Sequence, residues 1–216
     1  MNVELREMLR LQDQVNAKIN PAWRSAGNAF HRAVLVEAVE AMDHHGWKWW
    51  SKQTPNHSQL RLELVDIWHF ALSMVLVRLD GDIPACAEAI ENAWSVDSSH
   101  EVLGANVPAP RTLLERLERL AGLAAFGHFS FGTFSQACEE VDLPFPRLFR
   151  EYVAKNVLNH FRQDNGYKAG TYQKVWQGRE DNEHLFELLP ALDVAPEHLA
   201  NALYDALATR YAESRT

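Results

Sequence analysis

Cysteine is scarce in this chain: Cys86 and Cys138 are the only two in 216 residues, and their spacing fits neither a metal site nor a redox pair. Reduced thiols in a cytoplasmic protein are the expectation. Long apolar runs are missing too. None approaches the roughly 20 residues that a membrane span needs. The opening MNVELREMLRLQDQ carries charges where a signal peptide has its apolar core. Positive charge is also in deficit, with 21 Lys and Arg against 29 Asp and Glu, a net of −8. That balance argues against a general partner for nucleic acid or for an anionic membrane. No segment alternates convincingly enough to read as a strand, and no repeat or low-complexity tract appears. What remains is 47% hydrophobic and 23% charged, ordinary for a globular protein. Its helical periodicities run through a length able to bury a sizeable core.

The stretch Val34–Phe70 organises the rest. It contains two helical patterns joined by the Trp-rich loop GWKWWSKQTPNH. The first pattern carries Glu37 and Glu40 beside the apolar stripe Phe30, Val34, Ala38, Ala41 and Met42. The second carries Glu63 and Asp66 bordering Leu60, Leu64, Ile67, Trp68, Ala71, Leu72 and Val75, with His69 one turn on. A spacing of three puts each acid pair on one helix face. If the four acids face one another they repel, and cations must relieve them. A hard, all-oxygen cluster suits Mg²⁺. The plainer alternative is that all four point to solvent.

The other elements follow in order. Residues 3–19 read as a helix with Leu5, Met8, Leu9, Val15 and Ile19 inward, and Gln12 and Asn16 on the same stripe. Buried amides need partners, so these two serve either core hydrogen bonds or the edge of a base. Asn28 is expected to cap the next helix and Ser58 the one after it, which Gly81 should stop. Trp47, Trp49 and Trp50 either stack on a planar ligand or pack. Further helices are expected at 84–95, 111–126, 133–142, in the first part of 147–182 ahead of Asn165-Gly166, and at 182–190 and 196–212. In the 111–126 helix Leu113, Leu114, Leu117, Leu120 and Leu123 point inward and Glu115, Glu118, Arg111, Arg116 and Arg119 form solvated pairs. Residues 96–110 have no period, and a hinge could lie there.

Charge is uneven. Between Arg147 and Arg179 seven basic residues stand against two acidic ones. Lys155, Asn159 and Arg162 share a helix face, Asn165-Gly166 breaks it, and Tyr167, Lys168, Tyr172 and Trp176 follow. Lys, Arg and amides converging in this way suit phosphate; the alternative is a basic helix packed on the acidic remainder of the chain.

Taken together, Glu37-x-x-Glu40, Glu63-x-x-Asp66, LQDQVN, the WK-x-W loop, DIWHF and KNVLNHFRQDNGYK…Y…W…EDN resemble the dimeric all-α dUTPases of the all-α NTP pyrophosphatase superfamily. WKWW departs from the usual form of that loop. The resemblance spans nearly the whole chain, more weakly at 80–145 and after 190. It implies an all-α helical bundle around a four-carboxylate metal site, one domain over residues 1–216, and a cytoplasmic homodimer. It also implies hydrolysis of dUTP to dUMP with release of pyrophosphate, and acceptance of dUDP as a second substrate. Carried over, Glu37, Glu40, Glu63 and Asp66 hold two or more Mg²⁺ ions, which Mn²⁺ can replace, and Glu37 or Glu40 directs the attacking water. Lys155, Asn159, Arg162, Tyr167, Lys168 and Asn182 take the phosphates. Gln12, Asn16, Trp47, His69 and Phe70 take the base and sugar. The rivals are a pyrophosphohydrolase of another nucleotide such as dCTP, and a non-catalytic helical protein. A di-iron bundle protein would need two Glu-x-x-His motifs, and the sequence has none.

Overall fold

The structure, a computed structural model, describes residues 1–96, 101–102, 105–106 and 108–214. The described residues form nine α-helices and two very short antiparallel pairs of strands. They divide into two compact units, Met1–Leu148 and Phe149–Thr216. The loop at 96–110, where a hinge was expected, lies partly outside the described residues. Two-residue strands β1 (Glu101–Val102) and β2 (Ala105–Asn106) pair within it.

In the first unit α1 (Asn2–Ile19), α2 (Phe30–His45), α3 (His57–Arg78) and α4 (Ile83–Trp94) precede α5 (Leu113–Ala125) and α6 (Phe131–Glu140). Helix α3 touches α1, α2 and α4, and its composition explains why. It is apolar nearly all round, with twelve of its 22 residues buried, as a helix enclosed by others must be. Trp68 is its anchor: fully buried, it stacks on Phe134 at 5.3 Å, meets Trp94 and Phe131 edge-on, and donates its indole N–H to Met8 Sδ at 3.2 Å. Such aromatic packing gains from ring geometry as well as from buried area.

The helix ends correct some expectations. Asn56, not Ser58, caps α3: its side chain accepts from the Gln59 N–H at 3.2 Å, while Ser58 donates its hydroxyl to Asn56 at 2.7 Å. Ala29 sits at the start of α2, so Asn28 does not cap it. Past α3, Gly81 takes a positive φ of 78° and returns its N–H to Leu76 O at 2.8 Å, the helix stop expected of it. Ile19 was expected inward but is 71% exposed at the C-terminal end of α1. On α5, Leu113, Leu117 and Leu120 are buried while Leu114 and Leu123 are only half-buried. Arg111, Glu115 and Glu118 are exposed as the pattern suggested, but Arg116 and Arg119 are not. Glu115 closes a capping box with Thr112, Arg116 pairs with Glu140 of α6, and Arg119 is buried with its guanidinium on Pro108 O at 2.7 Å.

Helix α6 approaches the chain after α4 closely enough that a Cβ at Gly132 would lie 1.9 Å from Val96 O. Gly132→Ala must push that backbone away. Overpacking of this kind costs about 1–3 kcal/mol, and a thermal melt should show a Tm lower by roughly 3–10 °C. An unchanged Tm would mean that the approach is looser than the structure has it.

In the second unit α7 (Phe145–Asp164), which begins in the first, leads to a hairpin of β3 (Val175–Trp176) and β4 (Arg179–Glu180), then α8 (Asp181–Leu188), a 3-10 turn (Leu189–Ala191) and α9 (Pro196–Glu213). Gln177 and Gly178 both take positive φ, as the two-residue turn of a tight hairpin requires. Phe161, Trp176 and Tyr211 form the buried aromatic centre, with Tyr172 against it.

Candidate active site

The site begins with how closely α2 lies on α3. The buried residues of α2 are Val34, Ala38 and Ala41. Small side chains at a helix contact shorten the distance between axes. Glu37 is therefore carried toward Glu63 and Asp66 on the facing helix, and one carboxylate oxygen from each of the three lies within 4.8 Å of the other two. Glu63 is buried, and Glu37 and Asp66 are half-buried. Glu40 differs from expectation: it is exposed and stands outside this group of three, though its charge is felt by both Glu37 and Glu63.

Three clustered acids cannot all ionise cheaply. Burial first, then the charges of Asp66, Glu40 and Glu63, push the Glu37 carboxyl up to about 7. Burial, Asp66 and Glu40 likewise raise Glu63. The two carboxyls also act on each other directly, Glu63 raising Glu37 and Glu37 lowering Glu63. His44, which the sequence did not single out, places Nε2 3.3 Å from Glu63 Oε1. The cluster thus recruits positive charge or protons from whatever is near, and a divalent cation answers the same need. The donor set is all oxygen and suits a hard ion.

One turn beyond Asp66 a second polar group occupies the interior. Gln12 and Asn16 of α1 meet His69 and Ser73 of α3. Gln12 Nε2 donates to Asn16 Oδ1 and to Ser73 Oγ, both at 3.1 Å, and Asn16 Nδ2 donates to Ser73 Oγ at 2.9 Å. Gln12 Oε1 lies 2.9 Å from His69 Nδ1, and Ser73 Oγ donates to His69 O at 3.0 Å. All four residues are buried. Ser73 was missed in the sequence, although a lone serine on the enclosed stripe of an apolar helix was a signal for it. Trp47 and Phe70 are not part of this network. Trp47 is 38% exposed, donates its indole N–H to Asp43 at 3.0 Å and meets Trp50 edge-on, while Trp49 and Trp50 are more exposed still. Phe70 is half-buried.

The basic residues of the second unit are half-committed. Lys155 and Asn159 are half-buried on α7, and Tyr167 and Lys168 are exposed just after it. Arg162 is gripped by Asp181 through two bonds of 2.8 Å, and Tyr172 donates its hydroxyl to the same carboxylate at 2.8 Å. Asn182 is half-buried, with a buried side-chain oxygen that has no hydrogen-bond partner among the described residues.

An all-α scaffold with facing helices that gather acids into a cation-ready cluster defines the class. The sequence model of a family described as dUTPase matches residues 4–167, and the chain belongs to that family. It is a hydrolase of dUTP, a dUTP diphosphatase acting on a small nucleotide. No curated protein matches the chain. The matched stretch contains the acid cluster and the buried amides; Lys168, Asp181 and Asn182 lie beyond it. Among the described residues no helix is long and apolar enough to cross a membrane.

Proposed function

We propose that this enzyme cleaves dUTP, and dUDP as well, to dUMP with release of pyrophosphate from the triphosphate, using two or more Mg²⁺ ions that Mn²⁺ can replace. The observation that carries this reading is the Glu37, Glu63 and Asp66 cluster, where three carboxylates converge and burial and mutual repulsion raise the Glu37 and Glu63 carboxyls. Glu37, Glu63 and Asp66 would hold the ions, and Glu40, exposed one turn along α2, would complete the set by a side-chain rotation. Bound divalent ions would neutralise phosphate charge and sharpen a water as nucleophile. Glu37 would orient a water and accept its proton as general base; Glu40 is the second candidate for this role.

Lys155, Asn159, Arg162, Tyr167, Lys168 and Asn182 bind the phosphates by charge-assisted hydrogen bonds. Gln12, Asn16 and His69 read the uracil edge and sugar, with Trp47 and Phe70 as apolar neighbours. Their present bonds to one another and to Ser73 support this, because such amides can exchange an internal partner for a base. A site built to bond a polar edge rejects a base that leaves its groups unpaired. The family resemblance extends the proposal to a homodimer in the cytoplasm, with residues 1–216 working as one domain.

Release of pyrophosphate from dUTP, dCTP, dTTP and dGTP, and of orthophosphate from dUDP, with Mg²⁺ and with chelator, tests the reading. We expect dUTP to lead the triphosphates by at least about 100-fold in kcat/KM, a difference of about 2.7 kcal/mol. Chelator should stop turnover, and Mg²⁺ should restore it. A preference for dCTP would move the enzyme to another substrate of the same superfamily, and full activity in chelator would remove the metal mechanism.

A further inference from the structure

Asp181 belongs to none of the groups assigned above, yet it is the most enclosed acid of the second unit, 1% exposed. It opens α8 directly after the β3–β4 hairpin, held there by its own N–H on Lys174 O at 2.8 Å. An acid in the first turn also suits the positive end of the helix dipole. Its carboxylate takes both Arg162 bonds, the Tyr172 hydroxyl and a backbone bond from Asn182. Burial works against the charge, but these donors and the guanidinium outweigh it and hold the carboxyl below its ordinary range.

The partners of Asp181 bracket one loop. Arg162 precedes it and Tyr172 ends it, and between them lie Tyr167 and Lys168. The backbone of the loop is folded tightly on the same points. Tyr167 N–H reaches Arg162 O at 2.9 Å, and Thr171 N–H reaches Gly166 O at 3.1 Å. Gly166 has φ of 92°, and a Cβ there would meet the Thr171 hydroxyl at 2.1 Å, so only glycine closes the turn. The ion pair uses Nε and Nη2 of Arg162, and Nη1 has no partner among the described residues. A planar guanidinium gripped on one side presents its remaining donors in a fixed direction.

We propose that Asp181 is a positioning residue for dUTP: through Arg162 and Tyr172 it fixes the guanidinium and ties both ends of the loop that brings Tyr167 and Lys168 to the phosphates. The inference rests on the phosphate-binding role proposed for this loop. Asp181 itself touches no substrate. It removes the freedom that the loop's donors would otherwise lose on binding, and preorganisation of that kind appears in affinity.

The test compares Tyr172→Phe, Asp181→Asn and Lys168→Ala at fixed free Mg²⁺. The readouts are kcat and KM for dUTP, competitive inhibition by inorganic pyrophosphate and by deoxyuridine, and Tm. Tyr172→Phe removes one bond and keeps the ring. We expect it to raise KM and the pyrophosphate inhibition constant together by about fivefold, with kcat held within about twofold, as loss of uniform binding requires. Asp181→Asn should raise both constants by at least about tenfold, and deoxyuridine inhibition should not change in either variant. If Asp181→Asn does not fold, Tyr172→Phe decides. Should Tm fall while the pyrophosphate constant stays put in Tyr172→Phe and Lys168→Ala weakens pyrophosphate, Asp181 is structural only and this inference fails alone. Should Lys168→Ala also leave pyrophosphate binding unchanged, the loop does not bind phosphates, and that part of the proposed function falls with it.

Discussion

Glu63→Gln and Asp66→Asn should each lower kcat for dUTP by at least roughly 10³-fold, about 4 kcal/mol of transition-state stabilisation, with the helical circular dichroism unchanged. Both substitutions keep side-chain size, so neither opens a cavity in α3. What each removes is one negative charge from a cluster whose oxygens lie within 4.8 Å of one another. The consequence for stability runs opposite to that for activity. Burial, Asp66 and Glu40 disfavour the Glu63 anion, so its neutral isostere relieves the metal-free fold. In chelator at pH 8 the Glu63→Gln protein should therefore melt above the parent. Millimolar Mg²⁺ should reverse the order, because ligand binding stabilises the parent by mass action and the variant has lost a ligand. Retained hydrolysis, or a variant that melts lower in chelator, would falsify the view that these acids are gathered for a cation.

The sequence carried the helices and the acid pairs because both rest on periodicity, which is local. Helix α3 was legible from its apolar stripe, and Gly81 marked its end, but its enclosure nearly all round emerges only in the fold. Caps were less legible. Asn56 and Ser58 are both good capping residues, and the choice between them depends on which side chain the Gln59 N–H meets. Spacing alone treated Glu37 and Glu40 alike. Their difference comes from how α2 is rotated on α3, which Ala38 and Ala41 set by allowing close approach, and that leaves Glu40 outward. Ser73 and Asp181 were invisible for a related reason. Ser73 joins α1 to α3 through Gln12 and Asn16, 61 and 57 residues away, and Asp181 meets Arg162 from 19 residues away. Arg162 was expected as a phosphate donor among several, whereas its orientation by Asp181 needed the hairpin to be in place.

Glu37→Gln should remove two properties at once: most of the turnover, by about 10²–10³-fold as expected for loss of a positioned base, and a distinctive pH dependence of metal-free stability. In the unfolded chain a glutamate titrates near its ordinary value of 4.5, and in the fold Glu37 is pushed up to about 7 by burial and by Asp66, Glu40 and Glu63. Between those limits the folded protein binds more protons than the unfolded one. The extra stability is complete below about pH 4.5 and is lost as pH rises through about 7. The full shift would correspond to about 3 kcal/mol, and solvent screening of a half-buried group reduces it to about 1–2 kcal/mol. Melts in chelator from pH 5 to 8 should then fall more steeply for the parent than for Glu37→Gln, with the two curves separating chiefly across pH 5–7. Groups away from the cluster cancel in the difference, whereas Glu63 partly does not, since its interaction with Glu37 is lost. Parallel curves would show that the Glu37 carboxyl is not raised in the fold, and the repulsion attributed to this cluster would then have to be absent.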